Sequence, residues 1–286
     1  MVFSAWLATL LASALPEILL HELGIAAPDW LVWLKLGALG ALIILSLIWK
    51  KSRALSPFFV VLFALLFGIW IMEKFQSTAS FKSWERGSSF AGGMFALMLM
   101  ELVFALVMIA VLLLLGYRRK DFFFSRGTSG AMAERVRCLG MDKSVPWKKF
   151  GPIVIIIAAV VLSVFLIIFN RPSQAFWPKA LKVLPLAVLL AAINAFNEET
   201  VWRSAFLAPL RSSVGKNPAL LMNAALFGLA HYLSGSPGGI TGLVLTGFLG
   251  YLMAKAMLET RGFLWPWLIH FASDIPVLVF IAAANS

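Results

Sequence analysis

The sequence predicts an all-α fold, a polytopic bundle of about eight to nine transmembrane helices. The first observation behind this is composition: of 286 residues 61% are hydrophobic and 13% charged, with a mean hydropathy of +0.92, far from the balance of a soluble globular domain. The second is that runs of about twenty predominantly apolar residues, the length that crosses a hydrocarbon core, recur along the chain. The third is that these runs are continuously apolar rather than alternating, which predicts helices and not a barrel.

In chain order the runs predict spans near 2–20, 30–49, 57–72, 90–116, 152–169, 182–208, 217–233, 239–258 and 264–282. The first has no basic leader, carries Pro16 and Glu17 near its end and is followed by no small-residue cleavage site, so it reads as a retained segment. One long polar segment, about 117–151, divides the chain into an N-terminal group of helices (1–150, including this basic loop) and a C-terminal helical core (151–286). Within it "AMAERVRCLGM" could form a short interfacial helix at anionic headgroups; an orienting loop is the simpler expectation. "SGSPGGITG" reads as a tight turn between two spans.

The formal charge of +11 does not point to nucleic acid, because the basic residues sit in loops beside the spans and form no single amphipathic face. With the N-terminus cytoplasmic, fifteen basic residues fall in inside loops, nine of them between Arg118 and Lys149, against six outside. That asymmetry predicts nine spans with the C-terminus outside. Cys138 is the only cysteine, which excludes an intrachain disulfide and a multi-cysteine zinc site.

Chemistry concentrates in "NAFNEETVWRSAFLAPL", residues 194–210, where Glu198, Glu199 and Arg203 interrupt an apolar helix. An ionisable group at mid-membrane costs roughly 2.5–3.5 kcal/mol on insertion scales. Glu199 and Arg203, four apart, share a helical face in the order that favours an ion pair, whereas Glu198 lies about 100° round and lacks that partner. A structural bridge needs no adjacent second acid; a general base does need a carboxylate in an apolar setting. His231 follows Phe227 by one turn in "FGLAHY", and His270 precedes Asp274 by one turn in "HFASD". Each histidine alone reads as an interhelical hydrogen bonder; together with the glutamate helix they predict convergence on a hydrated cavity that activates water beside a scissile carbonyl. No G-x-S-x-G elbow is present, and "HELG" at His21 lacks the second histidine of a zincin, since position 25 is Ile25.

"EETVWR", "FGLAH" and "HFASD" resemble, in order and spacing, the EExxxR, FxxxH and HxxxN/D motifs of the CPBP family, the Rce1-like CAAX proteases grouped with abortive-infection proteins. The resemblance covers about residues 181–283. It implies a glutamic-type intramembrane endopeptidase of a prokaryotic plasma membrane, with no cofactor, acting near the C-terminus of a membrane-associated and possibly lipidated peptide or protein. Carried over by position, Glu198 is the general base, His231 positions the water, and Glu199 and Arg203 complete and orient the glutamate motif. His270 and residue 274 stabilise the oxyanion. Asp274 departs from the asparagine form: an ionised aspartate cannot donate, so it must be protonated or serve instead to hold the His270 tautomer.

Alternatives stand beside this reading. Glu198, His231, His270 and Asp274 are adequate zinc ligands, which keeps a metalloprotease open. A non-catalytic scaffold or immunity protein would use the same residues for packing, and a proton-coupled transporter would use them as a relay, although it calls for inverted repeats that are absent. Elsewhere, Glu101 and Lys35 are expected to pair with each other structurally, Asn194 is placed to support Glu198 one turn on, and Asn197 has no assigned role.

Overall fold

The computed structural model describes residues 1–234 and 238–285, so part of the "SGSPGGITG" turn lies outside the described residues. The chain is almost wholly helical, as expected. Its helices are α1 (Val2–Ala12), α2 (Leu15–Glu22), α3 (Leu31–Ile48), α4 (Ser56–Gln76), α5 (Ala79–Gly87), α6 (Phe90–Leu114), α7 (Trp147–Asn170), α8 (Phe176–Glu198), α9 (Phe206–Val214), α10 (Lys216–Ser234), α11 (Gly239–Thr260) and α12 (Leu264–Ala284). Among the described residues seven helical stretches are long and apolar enough to cross a membrane, or eight if the bent α1–α2 pair counts as one span. The chain is thus an integral, multi-pass membrane protein. The segment 217–233 forms α10, but Asn217, Asn223, His231 and Tyr232 leave it outside that set of seven.

Two compact units interleave in the sequence: one comprises Met1–Phe75, Leu106–Phe122 and Thr200–Ala254, the other Gln76–Ala105, Phe123–Glu199 and Lys255–Ser286. The boundary at Glu199 and Thr200 cuts through "EETVWR".

In the first unit, α1 and α2 meet at 57°. Pro16 has no N–H to donate back to Ala12, so the ladder breaks, and the Ser13 hydroxyl accepts from the Leu15 amide at 3.1 Å. Lys35 on α3 closes the break, donating to the Ser13 carbonyl at 2.8 Å and to both Glu17 carboxylate oxygens at 2.8 and 3.0 Å. The expected Lys35–Glu101 pair is therefore replaced by Lys35–Glu17: an ammonium buried to 2% exposure takes the acid and the freed carbonyl nearest to it. Helices α10 and α11 approach through glycines. A Cβ on Gly228 would sit 2.6 Å from the Leu243 carbonyl oxygen, and one on Gly247 would sit 3.2 Å from that of Ala224. Such close backbone approach is the usual role of small residues between membrane helices.

In the second unit α12 packs along α8 and α7, and Met98 of α6 joins Ala187, Leu190 and Ala191 of α8 and Leu278 of α12 in one apolar cluster. The opposite face of α7 exposes Ile156, Ile157, Val160 and Val164, as a lipid-facing surface should. The polar segment before α7 forms no interfacial helix. "AMAERVRCLGM" instead runs through a strand, β1 (Met132–Ala133), paired antiparallel with β2 (Val145–Pro146), and a 3₁₀ turn at Arg137–Leu139. The segment is tied to the α11–α12 turn. Thr128 donates its amide to the Thr260 carbonyl at 2.8 Å, Phe263 donates to Ser125 at 2.8 Å, and Gly127 (φ +73°) lies so close to Gly262 that a Cβ would come within 2.7 Å of its Cα. Glu259 accepts from the Trp147 indole at 2.9 Å and from Lys255 at 2.5 Å. Phe124 packs against Phe196 and Phe263, with ring centroids 6.0 and 5.0 Å apart, at the base of α8 and α12.

Candidate active site

The helix that begins as α8 does not stay α-helical. Over Glu199–Ala205, "ETVWRSA", it widens into a π-helical segment before resuming as α9. Such i→i+5 insertions are rare and frequently occur at functional sites. Pro209 bears on where the segment ends: it lies four residues beyond Ala205, cannot donate to that carbonyl, and so removes one α-type bond at the π-to-α9 junction. The ladder between Glu199 and Arg203 is accordingly not of i→i+4 type.

In the second unit, Glu198 and Glu199 at the end of α8 meet His270 and Asp274 on α12. His270 donates from Nδ1 to Glu199 Oε1 at 2.7 Å. Its Nε2 lies 3.6 Å from Glu198 Oε2 and 3.5 Å from Asp274 Oδ1, within ion-pair range but longer than direct hydrogen bonds. Asn194 completes the group: its Nδ2 donates to Asp274 Oδ2 at 2.9 Å and to Glu198 Oε1 at 3.3 Å. The supporting hydrogen bond expected from Asn194 to Glu198 is thus present, and the same amide also holds Asp274. Two ties fix the helices at this level, Trp267 donating to the Ala192 carbonyl at 3.1 Å and Asn197 to the Met98 carbonyl at 3.0 Å.

Exposure separates these groups. The Glu199 side chain is 0% and His270 5% exposed, whereas Asp274 is 17% and Glu198 25% exposed. Glu199 is enclosed within the protein, out of reach of a substrate, and can act only through its neighbours. Glu198 is the most accessible acid of the group.

His231 and Arg203 belong to the first unit. Arg203 is fully buried, with its guanidinium 4.0 Å from the centroid of the Phe227 ring, a cation–π contact favoured where water is excluded. His231 bonds through Nδ1 to the Phe227 carbonyl at 2.9 Å, and its ring lies 4.5 Å from that of Phe227. A carbonyl can only accept, so Nδ1 carries the proton and Nε2 is the acceptor nitrogen of neutral His231. Asn223 donates to the Trp202 carbonyl at 2.6 Å, fastening α10 to the π segment. Phe227 therefore serves both Arg203 and His231.

Among the described residues, no three histidine, cysteine or acidic side chains are grouped to hold a metal ion. One acid went unrecognised in the motifs. Glu101 on α6 lies one turn beyond Met98, whose carbonyl accepts from Asn197 at 3.0 Å. Its signal was available in the spacing of Met94, Met98 and Glu101, which puts all three on one helical face.

No curated protein and no solved structure matches the chain. A family model does match, over residues 179–276, a stretch that contains Glu198, Glu199, Arg203, His231, His270 and Asp274 but not Glu101. The match supports a membrane-embedded peptidase of the CAAX-protease type. Residues 179–276 thus match the family described as type II CAAX prenyl endopeptidase Rce1-like.

Proposed function

We propose that this protein is an intramembrane endopeptidase that cleaves a membrane-associated, CAAX-type substrate near its C-terminus, with Glu198 as the base that activates water. The observation that carries the reading is the graded exposure of one connected group: an accessible carboxylate, Glu198, beside an imidazole that an inaccessible carboxylate, Glu199, holds in place. Glu198 accepts a proton from water, and the resulting hydroxide attacks the scissile carbonyl carbon. The same proton then passes to the departing amide nitrogen as the C–N bond breaks, which returns Glu198 to its starting form. His270, with Nδ1 committed to Glu199, directs Nε2 toward the reacting group and, when protonated there, donates to the oxyanion. Asp274 accepts from Asn194 and so acts to orient Asn194 and His270 instead of donating to the oxyanion. His231 keeps the water-positioning role that the family resemblance gives it, with Nε2 as its acceptor, and Arg203 anchors the π segment through Phe227. Residues 151–286 form the catalytic core in this reading.

The test uses the full chain in liposomes with an internally quenched, membrane-anchored peptide ending in a CAAX sequence, prenylated or not. Glu198→Gln is expected to lower kcat/KM by roughly 10²–10⁴-fold with an unchanged melting temperature, and wild-type activity is expected to survive metal chelators. Cleavage at the wild-type rate by Glu198→Gln overturns the reading, and loss of activity on chelation that zinc restores replaces it with a metalloprotease.

A further inference from the structure

We infer that the cleft where α1, α3 and α4 meet binds one anionic phospholipid, its headgroup phosphate at Lys51 and Ser4 and the first part of an acyl chain along Leu42, Leu45 and Phe59. The cleft lies wholly within the first unit and does not depend on the catalytic reading.

Its position in the membrane comes first. Helices α3 and α4 are both long and apolar enough to cross a bilayer, so residues 49–55, which join them, lie at a membrane surface. That turn is basic, with Lys50, Lys51 and Arg53 broken only by Ser52. Trp49 stands 65% exposed beside them, as an indole at headgroup level does. The cleft, about 290 Å³ in volume, is lined by this turn. Its walls divide by chemistry: Ser4, Lys51 and Ser52 toward the surface, and Leu42, Leu45 and Phe59 toward the hydrocarbon. Leu45 is 55% exposed and Phe59 only 2%, so the apolar wall runs from the lipid side into the protein.

The polar lining groups differ in what they still need. Ser46 donates to the Ile43 carbonyl at 2.7 Å and lies 2.7 Å from the Ser56 hydroxyl, and Ser52 donates to the Trp49 carbonyl at 3.0 Å. Among the described residues, the Lys51 ammonium and the Ser4 hydroxyl have no hydrogen-bond or ion-pair partner, and no carboxylate lines the cleft. A cation and a hydroxyl donor at the mouth of an apolar wall match a phosphate followed by hydrocarbon. The same wall rejects a peptide, whose backbone polar groups it would leave unpaired. The volume sits at the low end for pockets that enclose a whole ligand, which suits a molecule whose remainder stays in the bilayer.

The turn is also fastened to α9. Ser213 donates to the Ala54 carbonyl at 2.6 Å, and the rings of Phe58 and Phe206 meet edge to face with centroids 5.2 Å apart. A lipid held at Lys51 therefore braces the helix that follows the π segment.

The experiment is native mass spectrometry of the full chain in detergent, titrated with phosphatidylglycerol or phosphatidylcholine of equal chain length, and with glycerol 3-phosphate as a chain-free probe. One phosphatidylglycerol should be retained in preference to phosphatidylcholine, and glycerol 3-phosphate should not be retained. Lys51→Glu should weaken that retention roughly tenfold, the scale of one charge-assisted hydrogen bond. Lys50→Glu, the same charge change one residue away and outside the lining, should stay near wild type. Equal losses in the two variants would mean surface charge alone and overturn the inference. Equal retention of the two lipids, or tighter retention of a prenylated peptide that Lys51→Glu leaves unchanged, would make the cleft a chain-binding groove and overturn it as well. Should Lys51→Glu not fold, Lys51→Gln decides in its place, and wild-type retention in that variant overturns the inference.

Discussion

His270 and His231 each spend Nδ1 on a fixed acceptor, but the acceptors differ. His270 gives its proton to Glu199, a buried carboxylate on another helix, and turns Nε2 toward two more acids. His231 donates its proton to the carbonyl of Phe227, four residues earlier on its own helix, and packs its ring, tilted by 57°, against the same residue. The first is held by charge and by two helices; the second is held by a local backbone contact and an aromatic ring. An imidazole whose Nδ1 is held by a carboxylate on another helix has its Nε2 aimed by that helix, whereas one whose Nδ1 is held by a carbonyl of its own helix has its Nε2 aimed by local geometry alone. The two histidines are therefore not interchangeable, despite their similar motifs.

The sharpest way to break this comparison is to remove each ring. His270→Ala should lower kcat by roughly 10²–10⁴-fold, whereas His231→Ala should cost less and act in part through KM; equal losses in both parameters would end the distinction. A smaller effect sharpens the local side of the comparison, where α10 depends on its approach to α11. Gly228→Ala drives a methyl to within 2.6 Å of the Leu243 carbonyl, and overpacking of this kind costs about 1–3 kcal/mol, read as a lower melting temperature in detergent. The smallest effect concerns charge with no catalytic part. Lys35→Met combined with Glu17→Leu should leave cleavage unchanged and stability within about 1 kcal/mol, while Lys35→Met alone, which strands Glu17, should cost more.

Much of the architecture was legible because continuously apolar runs admit only helices in lipid, and α3, α4, α6, α7, α11 and α12 fall where those runs predict them. What escaped notice has physical causes. The bend at Ser13 needed the position of Pro16 to be read as a break instead of a frayed end. Lys35 and Glu101 are opposite charges in one apolar chain, and nothing local says that Lys35 reaches Glu17, 18 residues away, and not Glu101. The ordered polar segment is held by partners more than 100 residues distant, such as Thr260 for Thr128 and Glu259 for Trp147. Within the site, the 3.6-residue period brought Asn194 to Glu198 and Asp274 to His270 correctly. It did not reveal that Glu199 meets His270 on α12, because that contact joins residues 71 apart in the chain.

That change of winding turns chain length into a tunable part of the machinery. A π segment is an α-helix carrying one residue too many, so a single deletion within Glu199–Ala205 would let the ladder close as ordinary α-helix. The side chains downstream would keep the facing they have, because the widened turn already absorbs the extra residue. Losing one residue here would therefore be felt within Glu199–Ala205 itself, whose side chains the wider turn aims, while a deletion elsewhere in α8 or α9 would rotate everything beyond it.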